Sequence, residues 1–228
     1  MNELWFFSQT LISLFFTLIA FRLGYTFLIG LISAQVVLMN VFVVKQLTLF
    51  GLAVTGGNVL YASIFLGTDI IAEHYGRDKA YEAVRIGFGV SIFFLIMSQF
   101  ILSYIPNEYD IAQPSFKILF SLTPRIVLGS MAAYLISQHI DVFLFHKIKQ
   151  KTGGKWIWLR NNGSTFCSQL LDSVTFTLIA FGGVYHNIIE LILTTYVIKI
   201  VVAAIDTPFI YLSKLNFFMP NSIKLRQN

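Results

Sequence analysis

Charge is what this sequence has least of. Its 228 residues carry 16 Lys and Arg and 11 Asp and Glu, 12% in all, against about 25% in ordinary soluble domains. A soluble fold cannot hide its remaining Phe, Ile and Leu behind so few polar side chains. That excludes a soluble enzyme, a nucleic-acid reader and a disordered tail. Cysteine is almost missing too. The single Cys167 permits neither an internal disulfide nor a cysteine-based metal cluster, and its apolar neighbours predict a small buried thiol. No helical H-E-x-x-H, no G-x-S-x-G elbow and no Cys–His pair is present. A phosphate loop is also missing, because Gly153-Gly154-Lys155 lacks the upstream glycine and Trp156 follows it. His139 and His146 flank Asp141 but do not make the three spaced ligands that zinc requires. They read as interfacial histidines, and Asp141 as half of an interfacial ion pair. No metal and no cofactor is called for.

What is there is apolar: 56% hydrophobic residues, 16% aromatics and a mean hydropathy of +0.73. A helix needs about 20 largely apolar residues to cross a bilayer. Seven stretches meet that requirement, near Leu4–Phe21, Tyr25–Val44, Phe50–Ile71, Val84–Ile105, Leu119–Phe145, Ser164–Val184 and Ile188–Leu212. The first follows Met1-Asn2-Glu3, with no basic region before it, so it reads as a true span and not a secretory signal. The expectation is one all-α integral membrane bundle of six to seven transmembrane helices over residues 1–228. It divides into an N-terminal span (1–24), a helical core (25–212) and a cytoplasmic tail (213–228). The longest polar connection, Lys147–Asn162, is too short for an attached catalytic domain.

Basic residues set the orientation. Arg22, Arg77, Lys79, Arg85, Lys147, Lys149, Lys151, Lys155, Arg160, Lys214, Lys224 and Arg226 fall on one side, leaving Lys45, Lys117 and Arg125 opposite and Lys199 within a span. Cytoplasmic loops carry the Lys and Arg excess. The C-terminus is therefore expected inside and, with seven spans, the N-terminus outside. The loop through Pro106, Glu108, Asp110 and Pro114 and the Tyr185–Asn187 turn are expected to face out.

A few charges sit where lipid should forbid them. A charge at the bilayer centre costs at least ~2.5–3.5 kcal/mol on insertion scales, and such residues mark ligand or ion paths. Asp172 and Lys199 lie mid-span on neighbouring antiparallel helices, as a substrate site or as a mutually neutralising structural pair. Asp206 lies two turns beyond Lys199 on nearly the same face. Gln169 precedes Asp172 by one turn, and Gln35 and Asn40 add amides. Asp69 and Glu73 share a face at the inner end of the third stretch, although Glu73 also opens a charge run that reads as solvated. Arg125 could guard an outer mouth or anchor to headgroups. Carboxylates, one lysine and amides together suit a solute-binding cavity better than a reaction centre.

Several of these segments form a pattern. Thr68-Asp69-Ile70-Ile71-Ala72-Glu73-His74-Tyr75-Gly76 resembles the T-D-I-I-x-E-x-Y-G signature of the queuosine precursor transporter family. Trp158-Leu159-Arg160-Asn161-Asn162 with Ser164-Thr165, then Ser168-Gln169-Leu170-Leu171-Asp172-Ser173, is similar to its W-L-R-N-N-x-S-T and S-Q-x-x-D-[ST] block. Lys199 followed by Asp206-Thr207-Pro208-Phe209-Ile210-Tyr211 resembles its K…D-T-P-F-x-Y ending. Asn40 with Lys45, and Ser137-Gln138 with Asp141 and Phe145, fit two further elements. The resemblance covers roughly 34–211 and leaves out the first span.

The resemblance implies import of a 7-deazaguanine, such as 7-cyano- or 7-aminomethyl-7-deazaguanine, for salvage into tRNA modification. It implies a bacterial cytoplasmic (inner) membrane location and a fold related to the substrate-binding subunits of energy-coupling-factor importers. With the intramembrane charges above, it suggests Asn40, Asp69, Gln169, Asp172, Lys199 and Asp206 as substrate-binding residues and Lys45 and Glu73 for gating or coupling, to which the position of Arg125 adds a third gating candidate. Partners are then the small base and the lipid bilayer, not nucleic acid. A homo-oligomer and a separate energy-coupling module stay open. The alternative is a binding subunit for another vitamin-like solute, dependent on a separate ATPase module. An intramembrane enzyme lacks a nucleophile–base pair, and the Asp172/Lys199/Asp206 cluster disfavours a purely structural subunit.

Overall fold

The computed structural model describes residues 1–43, 45–120, 124–183, 188–221 and 223. Within them the chain forms eight α-helices: α1 (Asn2–Leu23), α2 (Tyr25–Phe42), α3 (Tyr61–His74), α4 (Arg77–Ser103), α5 (Gln113–Phe120), α6 (Pro124–Lys151), α7 (Ile157–Phe181) and α8 (Ile188–Leu212). Five of them, α1, α2, α4, α6 and α8, are long and apolar enough to cross a membrane. This is an all-α, multi-pass membrane protein.

The third apolar stretch departs from the expectation of a single span. It opens inside an antiparallel hairpin, whose β1 (Gln46–Leu49) precedes the stretch and whose β2 (Leu52–Thr55) lies within it, in register Leu49↔Leu52, followed by a tight helical turn at Gly56–Leu60. Only then does α3 begin, at 14 residues too short to cross alone. The two-residue turn has positive φ at both Phe50 (51°) and Gly51 (79°). Such turns usually announce themselves as Asn-Gly or Asp-Gly, so Phe50 hid this one inside a hydrophobic run. Contacts from α1 steady the turn. Glu3 Oε1 accepts the Phe50 N–H at 3.2 Å, Asn2 Nδ2 donates to the Thr48 carbonyl at 3.2 Å, and Phe7 meets the Phe50 ring. Gly56 and Gly57 then press the turn against the end of α2. A Cβ on either would lie 2.9 Å from a backbone oxygen, that of Phe42 or Met39.

Short α3 is the central element. Every residue from Ala62 to Ala72 is buried, and α1, α2, α4, α6 and α8 all pack on it. The closest pairing in the bundle is α6 with α7, and α7 packs next on α8. Helix α7 carries a polar face of small residues at helical spacing, among them Asn161, Ser164, Thr165, Ser168, Asp172 and Ser173, all buried. That face explains its absence from the apolar set. The apolar residues Leu170, Leu171 and Leu178 point outward. Cys167 is exposed there as well, so the expected buried thiol instead faces lipid.

Other boundaries shift. The expected fifth span starts at Leu119, but Leu119 and Phe120 belong to α5. Asp110 starts that helix by accepting the N–H groups of Ala112 and Gln113. Helix α7 begins at Ile157, which draws Arg160 out of the basic loop and into the bundle. The Tyr185–Asn187 turn, Lys224, Arg226 and the side chain of Arg125 lie outside the described residues.

Candidate functional site

Two layers of polar groups occupy the bundle interior. The first surrounds a cavity of about 250 Å³ between α2, the Gly56–Leu60 turn, α6, α7 and α8. Asn40, Asn58, Tyr61, Thr177, Thr195 and Lys199 supply its polar lining, and Met39, Val54, Phe176, Leu191 and Ile198 much of its apolar wall. The Asn40 amide donates to the Val36 carbonyl, which fixes its side chain along α2. Lys199 is 2% exposed. Its ammonium is paired with Asp172 and lies 4.0 Å from the centre of the Tyr61 ring. Asp172 also accepts from the Ser137 hydroxyl at 3.2 Å. One charge pair and one ring thus shape the cavity wall, with carboxylate behind ammonium.

The second layer lies one turn along the helices. Asp141 follows Ser137 by four residues on α6, and Ser168 precedes Asp172 by four on α7, so each pair stacks on one face. Asp69 from α3, Asp141 from α6 and Asp206 from α8 are all 0% exposed. Asp141 accepts from the Ser168 hydroxyl at 3.0 Å, and Asp206 from the Asn161 amide at 2.7 Å. Among the described residues Asp141 forms no ion pair, contrary to the interfacial pairing expected for it. The Ser168-bearing face of α7 carries it into the core instead.

A third cluster closes one end of this column. Glu73, expected in a solvated charge run, is 8% exposed in its side chain and binds three cations. Arg160 reaches it at 2.5 Å, Lys149 at 2.8 Å and Lys214 at 2.8 Å. These tie the ends of α3, α6, α7 and α8 into one knot. Arg160 is wholly buried and also donates to the Gly154 carbonyl. Nearby, His74 and Ser213 hydrogen-bond at 3.0 Å.

The suggested site residues therefore separate. Asn40 and Lys199 line the cavity, with Asp172 behind Lys199. Asp69 and Asp206 meet in the second layer, and Gln169 is buried on α7, next to Ser168 and one turn before Asp172. Glu73 sits in the end knot. Lys45 is exposed beside a shallow groove with Asn2 and Trp5. His139 and His146 bond to backbone carbonyls of α6, and no group of three metal-binding side chains occurs among the described residues. Sequence reasoning missed Asn58, Tyr61, Thr177 and Thr195. The Gly56-Gly57 pair before Asn58 was the available signal, since paired glycines mark close backbone approach.

Comparison with known proteins settles the relationship. A probable queuosine precursor transporter of Bacillus subtilis is 38% identical over 80% of this chain and 81% of its own length. The chain belongs to the queuosine precursor transporter family. The family profile described as "Putative vitamin uptake transporter" matches residues 55–213, which spans α3 to α8, most of the cavity wall and all of the end knot but Lys214. The queuosine precursor transporter of Escherichia coli is 28% identical over 73% of the chain and 75% of its own length. A probable queuosine precursor transporter of Haemophilus influenzae is 28% identical over 56% of the chain and 52% of its own length. No solved structure matches the chain.

Proposed function

We propose that this protein imports queuosine precursors, 7-deazaguanine bases such as the 7-cyano and 7-aminomethyl forms. Family membership is the observation that carries the reading, and the cavity is compatible with it. About 250 Å³ lies at the small end of typical ligand sites, roughly 300–1,000 Å³, a size for one compact base. A guanine-like edge offers an N–H and an amino group side by side, and a carboxylate accepts both as a fork. Asp172 can supply that carboxylate if Lys199 swings to the base carbonyl. Asn40, Asn58 and Thr177 can pair with the remaining polar edge. The Tyr61 and Phe176 rings line the cavity and suit the flat faces of a base.

Transport then alternates access to a central site, as in other secondary transporters. The hairpin residues Val54 and Thr55 line the cavity, and the Glu73 knot joins the helix ends away from the hairpin. The excess of Lys and Arg at the knot end argues for the cytoplasmic side of the inner membrane there, which puts the cavity on the outer side of the knot. The deciding experiment uses cells unable to make the precursor. Queuosine should return to tRNA at low external 7-deazaguanine when this chain is expressed. Absence of that rescue, with the protein present in the membrane, removes the substrate assignment. Uptake by the purified chain in proteoliposomes excludes the need for an ATPase module.

A further inference from the structure

We propose that Asp69, Asp141 and Asp206 form one shared proton site, and that proton passage through it drives import by the transporter described above. The proposal rests on that transport reading for its coupling but not for the site. The three carboxylates come from α3, α6 and α8 and are all 0% exposed. Among the described residues, four of their six oxygens, both of Asp69 and Oδ2 of Asp141 and Asp206, are buried with no hydrogen-bond partner. Asp69 faces Asp141 directly. Two carboxylates that face each other in a low-dielectric interior cannot both keep their charge, and one proton between them turns repulsion into a hydrogen bond.

Among the described residues the charged surroundings supply no other remedy. Around the site stand Asp69 and Glu73 from α3, Asp141 from α6 and Asp206 from α8. Helix α7 contributes the neutral Asn161, Ser164, Thr165 and Ser168. The cations nearest in the column are engaged elsewhere: Lys199 with Asp172, and Arg160, Lys149 and Lys214 with Glu73. Among the described residues no metal-binding group is assembled. A proton is the cation that fits.

Position gives the proton something to do. Toward the cavity, Ser137 and Ser168 place Asp141 one helical turn from the Asp172–Lys199 pair. A substrate that draws Lys199 away from Asp172 changes the field at the triad. Toward the other end, Asn161 joins Asp206, and its neighbour Arg160 is held by Glu73. A proton enters from cavity water onto a triad carboxylate while the knot is shut. It leaves to water on the far side when the knot opens, with the substrate released in the same step. No bond other than O–H is made or broken.

The test has two arms on the purified full-length chain. Infrared spectroscopy should show the carbonyl band of a buried protonated carboxylic acid, reduced in Asp69→Asn or in Asp141→Asn. An unchanged band in both variants, or no band in the parent chain, overturns the site. In proteoliposomes an inward proton gradient should raise 7-cyano-7-deazaguanine accumulation several-fold, a protonophore should abolish that rise, and Asp69→Asn should lose it. Accumulation driven by sodium, or indifferent to the gradient, overturns the coupling. If the band is present but no substrate moves, the transport reading fails while the proton site stands.

Discussion

Lys199 and Asp172 hold each other's charge inside the bundle, so each depends on the other. Removing one partner of a buried pair typically costs about 3–5 kcal/mol, because the survivor is left uncompensated. Lys199→Met and Asp172→Asn alone should therefore lower thermal stability in detergent, and the double variant should recover much of it. If the pair also reads substrate, the double variant stays inactive in the tRNA rescue assay. Recovery of both stability and uptake would show the pair to be structural only. Glu73 answers to the same physics at the knot. Glu73→Gln leaves the fully buried Arg160 without its anion and should destabilise the chain by about 3 kcal/mol, read as a lower melting temperature. The intramembrane charges were legible at this scale because lipid makes any buried charge conspicuous. Their assignment to layers was not, since which face of α6 and α7 meets α3 follows from packing that no local pattern states. Asp141 is the case in point.

At the scale of elements, α1, α2 and α8 lay close to their expected boundaries, because long apolar runs leave the backbone little choice but helix, whereas α4 starts at Arg77 and not at Val84, its first two turns being too polar for the hydropathy pattern to include. The third stretch misled for a related reason. Hydropathy measures what a segment dissolves in, and both a hairpin packed on α1 and a buried helix satisfy it. The hairpin and the Gly56–Leu60 turn bring Thr55, Asn58 and Tyr61 to the cavity, so its geometry hangs on the approach of two glycines to α2. Gly57→Ala places a methyl group 2.9 Å from the Met39 oxygen. Overpacking of this kind costs about 1–3 kcal/mol, here concentrated on the cavity wall. Substrate affinity in a binding assay with the purified chain should fall more than the melting temperature does.

At the scale of the whole molecule, orientation is set by where cations gather. Arg22 over Phe217, Lys79 over Tyr25 and the three cations on Glu73 all lie at one end, the end that also carries the chain's last described residues. A reporter fused at the C-terminus should fluoresce as a cytoplasmic protein and be silent as a periplasmic phosphatase. Activity of the phosphatase fusion would reverse the assignment of inside and outside.

The same end knot has an electrical consequence. A column of hydroxyls, amides and carboxylates through a bilayer is a place where the insulation is thin, and a single carboxylate holding three cations plugs it. Loosening that plug should cost the cell membrane potential before it costs the protein its fold. Vesicles carrying Glu73→Ala should leak protons with no substrate present, measured by the decay of an imposed pH gradient. The carboxylate that looked like the start of a surface charge run is then an insulator's seal, keeping the membrane charged while the transporter waits for cargo.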